Sequence, residues 1–296
     1  MENQLFTLEN DSLEAINLEQ QTSALTALES GQVVYFPNYF FVSSKKTMQD
    51  LLTDAILDGK HKNVSYDYRT GKSGGFKQDN NGQLPALLKT FMHDYALFAR
   101  KLIDTICPEY GSDLIWGRTS YRPAEIKGRV SSKRKDDTRV HVDSFPATPV
   151  NGNRILRIFC NINPDNVARV WELGEPFAQV LERFAPRIPA YSPLRAKCLQ
   201  IIKATKTLRS AYDHYQLHMH DMMKLDDDYQ QSVAKQRIDF PANSTWIVFT
   251  DQVSHAALSG QYLLEQTFYL PAAAMVNPDL SPLAHWQKAK SFTFSR

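Results

Sequence analysis

The chain has 296 residues, 43% hydrophobic and 11% aromatic, which is apolar enough to exclude a disordered chain and large enough for one elaborated globular domain or two small ones. A formal charge of +2 excludes a strongly basic polyanion binder, so no nucleic-acid partner is expected and any anionic partner must meet a local patch. Cys107, Cys160 and Cys198 are too few and too scattered for a disulfide framework and read as reduced core thiols.

The N-terminal stretch MENQLFTLENDSLEA is acidic where a secretory signal is basic, and no run reaches the roughly eighteen apolar residues of a membrane span. A cytoplasmic protein is expected, with peripheral membrane contact left open. GQVVYFPNYFF at 31–41 predicts a strand entering a turn at Pro37, and SKKTMQDLLTDAILDG a helix stopped at Gly59. Asn63 to Gly82 is polar and holds Gly71, Gly74, Gly75 and Gly82, a long loop of the kind that covers a site. QLPALLKTFMHDYALFARKLIDTI then reads as a long amphipathic helix.

From Leu114 the texture turns to strands: LIWGRTSY, TRVHVDSF, RILRIFCNIN and, near the end, STWIVFT and YLLEQTFYL. Between the third and fourth lies a helical insert made of GEPFAQVLERFAPRI and SPLRAKCLQIIKATKTLRSAYDHYQLHMHDMMK, the second opened by Ser-Pro. The expected fold is therefore mainly β with helical elaborations, in a single domain over 1–296. Its parts are a strand and helix region at 30–110, a core at about 114–164 and 236–275, and a helical insert at about 170–235.

Strand alternation in TRVHVDSF sets Arg139, His141 and Asp143 on one face and Val140 and Val142 on the other. An octahedral iron site held by two histidines and one carboxylate would need one further histidine, and it leaves positions for cosubstrate and oxygen. His255 is the candidate, placed after the apolar strand WIVFT and before YLLEQTFYL. In a double-stranded β-helix, the cupin-like jelly roll, a late strand brings such a residue back beside the first pair. The competing reading is a buried His hydrogen-bonded to Asp.

His214 and His218 stand one helical turn apart, a zinc-compatible spacing with His220 nearby, but Tyr215 replaces the acid of a zinc-protease helix. Gly71-Lys72-Ser73 mimics the end of a phosphate loop, yet Tyr66 stands where its first glycine belongs; a mobile lid is the simpler reading.

HVDSFPATPVNGNRILRIFCNINP, SYDYRTGKSGG, YDHYQLHMHDMMK and TDQVSHAALSGQYLLEQTFYLP together resemble the Kdo hydroxylase family, iron(II)- and 2-oxoglutarate-dependent oxygenases of Gram-negative bacteria. The resemblance implies hydroxylation of 3-deoxy-D-manno-oct-2-ulosonic acid (Kdo) at C3 on Kdo-lipid A, giving the Ko sugar with succinate and carbon dioxide. It further implies consumption of O2, ascorbate as a candidate reductant, and His141, Asp143 and His255 as catalytic iron ligands. Many members of the wider superfamily carry an arginine for the far carboxylate of 2-oxoglutarate on the strand after the last histidine. This chain has Gln266 there.

Alternation in RILRIFCNIN sets Arg157, Phe159 and Asn161 on one face and the apolar residues on the other. Arg157 is thus the expected carboxylate anchor, its fork suiting a bidentate contact, with Asn161 and Gln266 beside it. Arg154 is the second choice and Arg122 or Arg118 the third. The alternative for Arg157 is a structural arginine paired with a core carboxylate. Tyr66, Arg69 and Lys72 in the lid, Arg122, Arg129 and His214 are the candidate sugar contacts. The basic run Lys127, Arg129, Lys133, Arg134, Lys135 and Arg139 is either a solvated loop or a surface for the anionic glycolipid and the inner membrane leaflet.

Overall fold

A computed structural model of the chain describes residues 4–78, 82–128 and 131–292. Its strands are β1 (Leu5–Thr7), β2 (Val33–Phe36), β3 (Val64–Asp67), β4 (Ser73–Gly74), β5 (Ile115–Arg122), β6 (Asn153–Asn161), β7 (Arg169–Leu173), β8 (Gln236–Phe240), β9 (Ser244–Phe249), β10 (His255–Ser259) and β11 (Leu263–Pro271). They form an eight-stranded sheet of order β1-β2-β9-β6-β11-β5-β3-β4 and a three-stranded sheet of order β10-β7-β8. The fold is mixed α/β, with the helices α1 (Leu18–Glu29), α2 (Lys45–Leu51), α3 (Gln83–Ile106), α4 (Phe177–Phe184), α5 (Pro193–Ile201), α6 (Ala211–Leu225), α7 (Asp227–Ser232) and α8 (Pro282–Lys290).

Alternation decides what each face of the large sheet meets. Leu156 and Ile158 of β6, Ile247 and Phe249 of β9, and Phe268 and Leu270 of β11 pack under α1 and α3. Helix α3 answers with Leu102, Ile103 and Ile106 at helical spacing on its buried side. The opposite face carries Phe159, Trp246 and Val248, which meet Trp171 and Leu173 of β7 and Ile238 and Phe240 of β8. Trp246 lies flat on Phe240 at 4.0 Å and near-parallel to Phe159 at 5.3 Å, so aromatic rings fill one part of the space between the sheets. Removing such a ring costs about 3–5 kcal/mol. A polar cavity occupies the part beside it.

Behind the small sheet, Val140, Val142 and Ala256 are covered by Phe177, Val180 and Leu181 of α4, Tyr215, Met219 and Met223 of α6, and Trp286 of α8. The chain around His141 thus has the predicted two faces, although it forms only an isolated bridge to His255 and no full strand.

Three expectations need correction. The range 170–235 is not wholly helical, because it opens with β7, paired antiparallel to both β8 and β10. The long second helix of that range breaks into α5 and α6, since Ser210 caps a fresh start: its hydroxyl accepts from Asp213 N at 3.2 Å. Cys198 is an exposed thiol on α5, whereas Cys107 and Cys160 are buried.

Candidate metal centre and its cavity

His141 and His255 exchange backbone hydrogen bonds of 2.9 and 2.8 Å, which fixes them side by side at the edge of the small sheet. A carbonyl oxygen can only accept, so His141 Nδ1 donates to Arg139 O at 2.7 Å and His255 Nδ1 to Val253 O at 2.8 Å. Both rings are thereby held in the tautomer that leaves Nε2 free as a ligand atom. Asp143 N donates to Thr250 O at 2.7 Å, bringing its carboxylate beside the imidazoles. Ligand atoms of the three residues lie within 4.8 Å of one another, and all three residues are buried.

Charge states suit a cation. Burial, then His255 and Lys224, holds the His141 imidazole well below its ordinary range, and burial likewise lowers His255, so both rings are neutral. Burial opposes ionisation of Asp143, but the Arg157 guanidinium outweighs it and holds the carboxyl low. Asp143 Oδ2 is buried without a hydrogen bond that satisfies it, although Arg157 Nη2 lies 3.1 Å away. Two neutral imidazoles and one carboxylate with a spare lone pair are the donor set of non-haem iron.

The centre opens into a cavity of about 400 Å³ with an excess of cations: Lys62, Arg122, Arg134, Lys135, Arg157, Arg169 and Lys224 line it. Arg157 is held between Asp143 at 3.1 Å and Glu265 at 3.2 Å. Glu265 also takes Arg122 at 2.5 Å. Asp137 takes Lys62 at 2.9 Å and, more loosely, Lys224 at 3.8 Å. Burial works against the charge on Asp137, but Lys62 and Arg122 keep its carboxyl ionised well below the usual range.

Arg169 differs from its neighbours. It is buried, its Nη1 donates to Gly260 O at 2.8 Å, its Nε has no partner, and no carboxylate pairs with it among the described residues. Burial, then repulsion from Arg122, pushes its guanidinium down to about 9. A Cβ on Gly260 would sit 2.9 Å from Arg169 Cδ, and Gly260 has φ +117°, so only glycine lets the arginine pass here. Trp171, two residues on, lines the same cavity.

The structure brings together His141, Asp143, His255, Arg157 and Arg122. It does not bring Gln266 there. Glu265 and Thr267 take the site face of β11, while Gln266 shares the helix-facing side, accepts from Thr119 Oγ1 at 2.6 Å and donates to Thr267 O at 2.7 Å. Arg154 also lies on the helix side, ion-paired to Asp251 at 2.8 Å. Asn161 donates to Val167 O and Phe240 O and closes a loop away from the cavity. Arg118 is engaged with Ser65 and Asp67.

Among the sugar candidates, Tyr66 is buried in the α3 core with its hydroxyl 3.1 Å from His93, while Arg69 and Lys72 are exposed away from the cavity. His214 Nε2 lies 2.9 Å from Pro189 O and His218 packs against its ring, so that helical pair faces neither the cavity nor a metal cluster. Arg129 falls outside the described residues.

The sequence reading missed Lys62, Asp137, Arg169, Trp171, His220 and Lys224 as cavity residues. Alternation in RVWEL, with Arg169, Trp171 and Leu173 on one face, was the available signal for two of them.

The sheets and the donor set define a mononuclear non-haem metal oxygenase of the two-histidine, one-carboxylate kind. The model of the 3-deoxy-D-manno-oct-2-ulosonic acid (Kdo) hydroxylase family matches residues 12–291, and the chain belongs to that family. The chain is similar to the Kdo hydroxylase KdoO, a non-haem Fe(II) alpha-ketoglutarate (2-oxoglutarate)-dependent dioxygenase, in its crystal structure with cobalt(II). The two share 42% identity over 98% of this chain and 97% of that one, with a TM-score of 0.93. A KdoO complex with alpha-ketoglutarate and Fe(III) matches at 40% identity over 99% of both chains, with a TM-score of 0.92. A complex with succinate and Fe(III) matches at 41% identity over 98% of this chain and 96% of that one, again at 0.92. A comparison with curated proteins found no match.

Proposed function

We propose that this chain is an Fe(II)- and 2-oxoglutarate-dependent Kdo hydroxylase that inserts one oxygen atom at C3 of Kdo in Kdo-lipid A. The products are Ko, succinate and carbon dioxide; one oxygen of O2 goes to the sugar and one to succinate. The observation that carries the reading is the His141, Asp143 and His255 cluster, whose ligand atoms lie within 4.8 Å at the wall of a cation-rich cavity. Family membership over residues 12–291 supports the substrate class.

Iron, when bound, supplies the redox centre for decarboxylating 2-oxoglutarate and activating oxygen. His141 and His255 present Nε2 to it, and Asp143 an oxygen that Arg157 helps keep ionised. The far carboxylate of 2-oxoglutarate finds its counter-charge at Arg169 and Arg122, the first of which has no carboxylate of its own among the described residues. Lys62, Lys224, Arg134 and Lys135 give the rest of the wall a charge complementary to an acidic sugar. Trp171, stacked 5.0 Å from His255, keeps that imidazole in plane and excludes water from one side.

The strand order supports reading the core as a double-stranded β-helix. Strands β9, β6, β11 and β5 form one wall, and the His141 bridge, β10, β7 and β8 form the other. The reading takes 1–296 as one oxygenase domain acting at the cytoplasmic side. No helix among the described residues is long and apolar enough to cross a membrane.

Mass spectrometry of lipid A sugars from cells with and without the protein tests the assignment. A gain of one oxygen on Kdo is expected; unaltered Kdo, with oxoglutarate consumed on another acidic acceptor, would move the enzyme to a different substrate.

A further inference from the structure

Helix α5 turns the usual arrangement of an amphipathic helix outward. Leu194, Cys198, Ile201 and Ile202 recur at spacings of four, three and one, which puts them on one face. That face points to solvent: Leu194 is 75% exposed, Ile201 68% and Ile202 70%, while Ala196 on the other side is buried. Leu208, just beyond, is 47% exposed. Isolated surface leucines are ordinary, but a stripe of large aliphatic groups on one short helix is not.

Charge says what the stripe meets. Arg195 and Lys197 flank it, Lys203 and Lys206 follow it, and no acidic residue occurs between Glu182 and Asp213. None of these four cations is ion-paired with a carboxylate among the described residues, unlike Lys133, Arg134 and Arg139 of the basic run, which Asp221 and Asp227 engage. A second copy of this chain offering only another cationic stripe would repel it. A lipid surface with anionic headgroups satisfies both the aliphatic groups and the lysines.

Location ties the stripe to the cavity. Lys206 N donates to Ala147 O at 2.9 Å and Arg209 Nη2 to Pro146 O at 2.7 Å, and Pro146 lines the cavity just after Asp143. The geometry points to α5 and the turn after it, residues 193–208, as the surface that seats the protein on an anionic phospholipid bilayer beside the cavity mouth. Binding to the bilayer stands independently of the substrate; the benefit for turnover rests on the lipid-linked Kdo reading.

The test is flotation of the full chain with phosphatidylcholine vesicles and with vesicles containing phosphatidylglycerol. Wild type is expected to float with the anionic vesicles only. A variant with Leu194→Ser, Ile201→Ser and Ile202→Ser, all solvent-facing, is expected to stay in solution. Replacing Arg195, Lys197, Lys203 and Lys206 by Gln is expected to weaken partitioning by about a hundredfold or more.

Cobalt(II) binding and turnover of detergent-dispersed Kdo-lipid A should be unchanged in both variants, whereas turnover of vesicle-embedded substrate falls. Flotation of the serine variant equal to wild type would overturn the proposal. So would a wild type that ignores anionic vesicles and instead forms a dimer that the serine variant loses. Failure of the turnover arm in wild type, with vesicle binding intact, would count against the substrate reading and leave the docking surface standing.

Discussion

Trp171 lies flat over His255, ring centroids 5.0 Å apart and planes 19° apart, and is itself met edge-on by Phe159 and Trp246 at 5.1 and 5.6 Å. The aromatic core and the metal centre therefore share a wall. Truncation by Trp171→Ala is expected to cost about 3–5 kcal/mol in urea unfolding and to weaken cobalt(II) binding about tenfold by freeing the His255 ring. Trp171→Phe keeps a stacking face and should retain most of the metal affinity; an equal loss in both variants would refute the stacking role.

Metal binding has its own readout. Cobalt(II) should raise the melting temperature of the wild-type protein, because it binds the folded site and not the unfolded chain. In His141→Ala, Asp143→Ala and His255→Ala that shift should vanish, along with the visible absorption of bound cobalt. A full shift in Asp143→Ala would remove the carboxylate from the ligand set.

Arg157 and Arg169 line one cavity but predict opposite stabilities. Arg157→Met strands Asp143 as a buried carboxylate, leaves Glu265 to Arg122 alone and should destabilise the metal-free protein by about 3–5 kcal/mol. Arg169→Met removes a buried guanidinium that has no carboxylate partner among the described residues, so metal-free stability should be unchanged or higher. The same variant should lose the extra thermal stabilisation that 2-oxoglutarate gives the cobalt-loaded protein. A drop in metal-free stability would show that the guanidinium contributes more to the fold than its one bond to Gly260 O.

Arg154 supplies the contrast outside the cavity. Its guanidinium sits 3.8 Å over the Phe249 ring, with Asp251 at 2.8 Å and Gln252 at 2.6 Å. Arg154→Met should cost about 3–5 kcal/mol by leaving Asp251 buried and unpaired, with cobalt affinity intact in the folded fraction. A weakened metal site at unchanged stability would place Arg154 in the machinery instead.

The grouping of His141, Asp143 and His255 was legible because their order along the chain and the two-residue period of a strand are local properties. The same period separated Arg157 from Leu156 and Ile158. It could not decide which face of β11 turns inward, since Glu265 and Gln266 are adjacent and either could be inside; the arginines on β5 and β6 settle it by pairing with Glu265. Arg169 escaped because what marks it is the absence of a carboxylate, which depends on every neighbour in space. Lys62, Asp137 and Lys224 come from two loops and a helix and share no period at all. Break points at Ser210 and Cys198's exposure on α5 were likewise hidden, because helical spacing does not say whether a long segment bends or which side finds the core.

Strands β7 and β8 are paired neighbours, Leu173 opposite Gln236, so a turn of a few residues could join them. Everything from Gly174 to Lys235 is therefore a loop of one hairpin grown into four helices. His255 sits on β10, the sheet partner of that hairpin, and Arg169 and Trp171 on β7, while Lys224 and the outward stripe of α5 ride in the loop. The cassette can thus be remodelled without disturbing the pairing of β10 with β7, limited by its need to keep Val140, Val142 and Ala256 dry.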